Sequence, residues 1–246
     1  MKKIIFFFLV FFLAGCQQPE MVDVDVNPEE TPDVVSSTTE PVEEPGENKV
    51  PSKLELKVLF APQAPFANWD ALHEEACEEA SMIMADRYFG GKPLDESIME
   101  AEIQDLVKWE EDNNYQVDLT VQETADVLKA YFNLTARITS EVTTDRIKYE
   151  LAKGNLVLVP AAGRELKNPN YKAPGPIYHM LVIKGYDSDE LITNDPGTKK
   201  GNGFRYGYDV FLNAVHDWNH ALAQDGMTDA EMLSGRKVMI IVEKGS

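Results

Sequence analysis

The chain has 246 residues, 42 acidic against 23 basic side chains and a formal charge of −19. An acid surplus of this size excludes an electrostatic footprint for nucleic acid or anionic lipid, because both need clustered lysine and arginine. Past the N-terminal region about 190 residues remain, enough for one sizeable core and one domain.

Met1-Lys2-Lys3 precedes an apolar run from Ile4 to Leu13, and Leu13-Ala14-Gly15-Cys16 follows. A short basic start, about ten apolar residues and small residues at a cut site specify a secretory signal rather than a spanning helix, which needs about 20. Leu-Ala-Gly-Cys resembles the bacterial lipobox, in which the cysteine is lipidated and becomes the mature N-terminus. Residues 1–15 are therefore expected to be a lipoprotein signal peptide and Cys16 the lipidation site. Attachment to the membrane, on its extracytoplasmic side, would come from the lipid: each buried methylene adds about 0.8 kcal/mol, and stable anchoring takes more than one chain.

From Gln17 to Pro51 the chain carries ten acidic residues and one lysine among Pro, Val, Ser and Thr. Such a composition buries too little apolar surface to fold. Residues 16–51 are expected to be a disordered acidic spacer, and residues 52–246 a single monomeric domain.

Within that domain helical patterns run over 70–89, 94–113, 121–132 and 143–153, with Asp95 and Thr143 as starts and Gly90-Gly91 and Gly154 as stops. The pattern then changes. Residues 156–160, 179–186, 190–194 and 237–243 read as strands, with further helices over 208–223 and 228–233. Helices first and antiparallel strands later predict an α+β domain with a cleft between its halves.

Cys77 opens the first apolar helical stretch, and since Cys16 belongs to the targeting segment it has no disulfide partner. A lone cysteine is ordinarily a small buried hydrophobe. Other residues turn the reading toward chemistry. His179 heads a strand that closes at Gly185-Tyr186, a second strand ends at Asn194-Asp195-Pro196-Gly197, and the short polar link 187–190 makes the two a hairpin. That hairpin brings His179 beside Asp195, or beside Asn194, since strand alternation lets only one of them face the imidazole. A free thiol has a pKa near ~8.5, which a helix N-terminus and a neighbouring imidazolium lower. The histidine moves the proton, and a carboxylate on its far nitrogen sets tautomer and orientation.

Taken in order, Gln63, Cys77 at a helix start, His179 with Gly185-Tyr186-Asp187, and Asn194-Asp195-Pro196 resemble the bacteriocin-processing cysteine peptidases of family thirty-nine, especially the peptidase C39-like domains found outside transporters. The resemblance spans about residues 56–242 and implies a papain-like fold. By its pattern Cys77 is the nucleophile, His179 the base, Asp195 the orienting acid, and the Gln63 amide an oxyanion donor beside the backbone N–H of Cys77. It implies a peptide or protein substrate and no cofactor. Ala76 stands where the family shows Gly before the cysteine and Glu78-Glu79 where it shows Gly-Pro or Glu-Pro after it, and four carboxylates, Glu74, Glu75, Glu78 and Glu79, lie within three residues of Cys77. Their charge raises a thiol pKa, so activation falls to His179 and the helix terminus.

Two rival readings use the same residues. A catalytically weak papain-fold module would bind peptides or cell-wall material without cleaving them. A metal hydrolase would draw on His73 and Cys77, or His216 and His220, each pair four apart on one helical face; neither pair is the His-Glu-x-x-His of zinc peptidases, and no metal is expected. The loop 161–177, with its prolines, is expected to carry substrate contacts. Tyr206 and Tyr208 are read as buried structural residues.

Overall fold

The computed structural model describes residues 50–245. The signal peptide, Cys16 and nearly all of the spacer lie outside the described residues.

The N-terminal half is helical: α1 (Cys77–Gly90), α2 (Glu96–Asp112) and α3 (Val121–Ala130). Local chemistry sets their ends. Asp95 accepts the Ile98 N–H at 2.8 Å to cap α2, and Thr120 with Glu123 forms a reciprocal capping box on α3. Gly91, at φ +60°, closes α1 in the left-handed region.

The strand-rich half holds β2 (Thr135–Thr139), α4 (Thr144–Ala152), β3 (Leu156–Ala162), β4 (Tyr178–Tyr186), β5 (Glu190–Asn194), β6 (Asn202–Gly207), α5 (Tyr208–Ala214), α6 (Asp229–Met232) and β7 (Met239–Glu243). Together with the two-residue β1 (Leu54–Glu55) they form one seven-stranded sheet in the order β2-β7-β3-β4-β5-β6, with β1 on β4. Every pairing is antiparallel. This is the expected α+β architecture.

Both sheet faces are covered, which explains why β3 and β4 are buried along their whole lengths. Leu156, Leu158, Met180 and Val182 pack into the cluster that holds α1, α2 and α3. The alternate residues Val157, Val159, Leu181 and Ile183 pack with Ile147 and Leu151 of α4 and Phe211 of α5. β1 can lie against β4 only because residue 185 is glycine: a Cβ there would stand 2.5 Å from the Leu54 carbonyl oxygen.

Several boundaries differ from expectation. The first helix begins at Cys77, seven residues later than its pattern predicts. Asp70 Oδ1 accepts the N–H groups of Leu72 and His73 and contacts the His73 ring at 2.7 Å, which winds 70–76 into turns instead of a regular helix. The helix predicted over 208–223 stops at Ala214, because Val215 bridges Ala161 and His216 N–H donates to the Pro160 carbonyl. β1, β2 and β6 are additional strands. β6 reads Asn-Gly-Phe-Arg-Tyr-Gly, turn chemistry at both ends, and it is a strand because Leu191 to Asn194 supply its ladder.

Candidate active site

Cys77 is the first residue of α1, at the point where the turns of 70–76 hand over to regular helix. Those turns are braced. His73 is buried, with ring contacts to Asp70 at 2.7 Å and Glu100 at 3.0 Å, and its carbonyl accepts the Gln63 side-chain N–H at 2.9 Å. The nucleophile candidate therefore sits on a segment held by all three of these contacts.

The sulfur is buried, with 4% exposure of the residue. It accepts the backbone N–H of Met180 at 3.2 Å, and its thiol donates to Glu78 Oε2 at 2.8 Å. The other oxygen of Glu78 accepts the Leu119 N–H at 2.8 Å. Burial, the charge of Glu78, the hydrogen bond to Glu78 and the charge of Glu79 push the Cys77 thiol well above its ordinary pKa, with only the Met180 N–H acting against them. The lowering expected from the helix terminus is outweighed.

More acid lies behind Glu78. Burial drives Glu79 up to about 7 and Glu110, with the charge of Glu79 adding to it, up to about 11. Glu79 Oε2 and Glu110 Oε1 are buried without a hydrogen-bond partner. The two carboxyl groups hydrogen-bond each other across α1 and α2, which requires one of them to hold a proton. Burial and Glu75 also raise Asp118 to about 6.

His179 lies on β4 next to Met180, so the strand that donates to the sulfur also carries the imidazole. Its Nε2 is 2.8 Å from Asp195 Oδ1. The β4–β5 hairpin is antiparallel, with a register shift between Ile183 and Gly185, and Asp195 directly follows β5. Asn194 serves the scaffold instead. Its amide donates to the Val58 and Leu59 carbonyls at 3.3 and 2.9 Å, pinning the N-terminal segment to the sheet.

Asp195 is fully buried, and both of its oxygens are engaged. Oδ1 meets His179 and the Gly197 N–H, the latter at 3.0 Å; Oδ2 accepts from Tyr171 at 2.6 Å, Tyr206 at 2.5 Å and Asn168 at 2.9 Å. Burial alone would raise its pKa, but His179 and the tyrosine donors outweigh that and hold the carboxyl below the ordinary range. Gly197 leaves room for the imidazole, since a Cβ there would lie 2.9 Å from His179 Cε1 and 3.1 Å from Tyr171 Cε1.

Gln63 reaches the same cleft, but its amide N–H groups are engaged elsewhere. They donate to the His73 carbonyl at 2.9 Å and the Glu74 carbonyl at 3.1 Å, while Oε1 is buried without a partner. Donation to an oxyanion requires one of those bonds to be released.

A cleft of about 850 Å³ exposes Gln63, Cys77 and His179 to a common space. Glu74, Glu75 and Asp118 stand on its lining, as do Lys172, Lys199 and Lys200. The loop expected to carry substrate contacts contributes residues 169–177 to the wall. Its beginning is ordered structure: β3 runs to Ala162, and a 3-10 turn covers Gly163–Leu166.

The alternative ligand pairs are dispersed. His216 and His220 are not on a helix; the His216 ring lies 3.3 Å from the Ala214 carbonyl, and His220 pairs with Glu123 at 2.8 Å. His73 faces Asp70 and Glu100. Among the described residues no group of three or more His, Cys, Asp or Glu side chains is arranged to hold a metal ion. Tyr208 donates to the Asp187 carbonyl, whereas Tyr206 belongs to the Asp195 cluster. Asn168, Tyr171 and the contact of Glu78 with the sulfur are site features that no motif in the sequence singles out. The proline-rich loop is the one signal that points to the first two.

The family model described as Peptidase_C39 like family matches residues 56–225. Among curated proteins none matches the chain. Among solved structures, a presumed C39-like peptidase from Bacillus anthracis is similar over 79% of this chain and 99% of its own, with a TM-score of 0.50 and 14% identity. At that identity the likeness shows the fold.

Proposed function

This chain belongs to the Peptidase_C39 like family, and from that premise we propose that it is a cysteine peptidase cleaving peptide bonds through Cys77, His179 and Asp195. The observation that carries the reading is the His179–Asp195 pair at 2.8 Å, opening onto the same cleft as the buried thiol of Cys77.

His179 Nε2 is taken by Asp195, so Nδ1 is the nitrogen for proton transfer with Cys77. The thiol proton passes to His179 as the sulfur bonds to the scissile carbonyl carbon. The oxyanion that forms takes the backbone N–H of Cys77 and, once a carbonyl partner is released, an N–H of Gln63. His179 returns the proton to the departing amine, leaving an S-acyl enzyme. Water, deprotonated by the same imidazole, then releases the carboxylic acid and restores the thiol. Asp195 stays ionised and holds the ring in the tautomer this requires.

Incubating the protein with a peptide mixture and following fragments by mass spectrometry tests the reading. Wild type produces defined fragments, and Cys77→Ala, His179→Ala and Asp195→Ala do not. Cleavage that persists in Cys77→Ala overturns it.

The tether belongs to the same proposal. With Cys16 lipidated, the domain works on the outer side of a membrane at the reach of an acidic spacer, and its substrates are peptides or proteins met there. Detergent phase partitioning checks this: wild type enters the detergent phase and Cys16→Ser stays in the aqueous phase, while equal partitioning removes the tether.

A further inference from the structure

We propose that Glu78 is a positioning residue that holds the Cys77 proton in a resting state and so restrains the nucleophile. The inference rests on the reading of Cys77 as the nucleophile and adds a restraint to it.

Glu78 is fully buried, one residue from Cys77, and its two oxygens have separate partners. Oε1 is fixed by the Leu119 N–H at 2.8 Å. Leu119 is fixed in turn, since its carbonyl accepts the Tyr178 hydroxyl at 2.8 Å. Oε2 is thereby held 2.8 Å from the sulfur as an acceptor. An acceptor on the sulfur favours the thiol over the thiolate, because the thiolate has no proton to give it. The thiol hydrogen that must pass to His179 is thus committed to a different partner. The Met180 N–H on the same sulfur does the reverse and favours the thiolate. The charged and titratable groups around this pair are Glu79 on α1, Asp118 before α3, Tyr178 and His179 on β4, and Asp217 beyond Tyr178; burial and the charges of Glu79 and Asp118 push the Glu78 carboxyl itself up, and its hydrogen bonds with Cys77 and the Leu119 N–H oppose that.

This geometry gives Glu78→Gln an asymmetric effect. The Leu119 N–H selects the amide oxygen for the Oε1 position, so the amide nitrogen takes the place of Oε2 and donates to the sulfur. One isosteric exchange converts an acceptor on the nucleophile into a donor. Each unit of thiol pKa lowered raises the thiolate fraction about tenfold, and the accompanying loss of nucleophilicity reduces the net gain to about threefold per unit.

The experiment is site-resolved alkylation of the full chain with iodoacetamide at a series of pH values, with labelled peptides quantified by mass spectrometry so that Cys77 is read apart from Cys16. Glu78→Gln, Glu79→Gln, His179→Ala and wild type are compared. Glu78→Gln is expected to react at least about threefold faster than wild type near neutral pH, with its profile displaced to lower pH, and to exceed Glu79→Gln, which changes charge without touching sulfur. A rate for Glu78→Gln equal to or below wild type, with His179→Ala slowed, overturns the restraint and leaves the nucleophile reading in place. Unchanged rates in both variants overturn the two together. Should Glu78→Gln not fold, wild type alone decides: the S–H stretching band lost in Cys77→Ala is shifted to the low frequency of a donated thiol, and a free-thiol frequency overturns the proposal.

Discussion

The hydroxyl of Tyr171 lies 2.6 Å from Asp195 Oδ2, and the same ring stands edge-on to His179 with centroids 5.5 Å apart. One residue of the 167–177 loop therefore touches both the carboxylate and the imidazole, so the loop that walls the cleft is also part of what keeps Asp195 ionised and the pair oriented. Tyr171→Phe keeps the packing and removes the donor. A hydrogen bond to a buried charge is worth about 1.5–3 kcal/mol, and losing it raises the Asp195 pKa. A carboxyl whose folded pKa is depressed adds stability above its unfolded pKa, and that stability is lost as pH falls through the folded value. In Tyr171→Phe the loss begins at higher pH, so an acid-unfolding titration shows its midpoint displaced upward; an unmoved midpoint contradicts the role given to the hydroxyl.

Gly197 is the place where the smallest change reaches the imidazole. A methyl group would meet His179 Cε1 at 2.9 Å and Nε2 at 3.2 Å, so Gly197→Ala displaces the ring while leaving the sheet intact. Misplacement of a catalytic group by about 1 Å costs on the order of 100-fold in rate. Peptide turnover is expected to fall by that order with a nearly unchanged melting temperature. Retained turnover would mean that the ring has room to move without consequence.

Glu110 carries a stability prediction with the opposite pH sign from Asp195. Its folded pKa of about 11 and that of Glu79 at about 7 lie above the ordinary carboxylate value, so from about pH 4.5 up to about 11, with Glu79 contributing up to about 7, the folded chain holds more protons than the unfolded one and stability falls as pH rises. Glu110→Gln supplies a donor to Glu79 without a proton to lose. It is expected to flatten the decline and to stabilise the domain at pH 8 by on the order of 1–2 kcal/mol. Denaturant melts at pH 5 and pH 8 read this directly; a variant less stable than wild type at pH 8 rules out the shared proton.

Asn194 and Asp195, neighbours in sequence, are predicted to fail differently. Asn194→Ala frees the carbonyls of Val58 and Leu59 and lowers stability by about 1–3 kcal/mol without altering His179. Asp195→Asn keeps the volume but removes the charge that His179, Tyr171, Tyr206 and Asn168 converge on, and turnover is lost. Comparing the two by melting temperature and peptide cleavage separates scaffold from site, and similar activity losses in both would contradict the division.

Much of the fold is legible in the chain because its signals are local. Alternation and β-branched residues mark β3, β4, β5 and β7; Asp95 and Thr143 mark helix starts; the polar link 187–190 marks the hairpin that carries His179 and Asp195 to one end of the sheet. What is not legible depends on contacts between distant segments. The Val215–Ala161 bridge that ends α5 and the ladder that makes a strand of Asn202–Gly207 are tertiary decisions. The turn that delays α1 joins a local contact, Asp70 with His73, to a distant one, His73 with Glu100. The same holds within the site. The charge of Glu78 is plain in the sequence, but its hold on the sulfur depends on Leu119, 41 residues away.

The most direct test of the Cys77–His179 pair is site-resolved alkylation of Cys77 at neutral pH in wild type and His179→Ala. If the imidazole takes the thiol proton, removing it slows labelling by about 100-fold or more, the range of general-base contributions. Equal rates in the two proteins would mean that Cys77 is a buried thiol with no base, and that the peptidase chemistry proposed for this site is wrong.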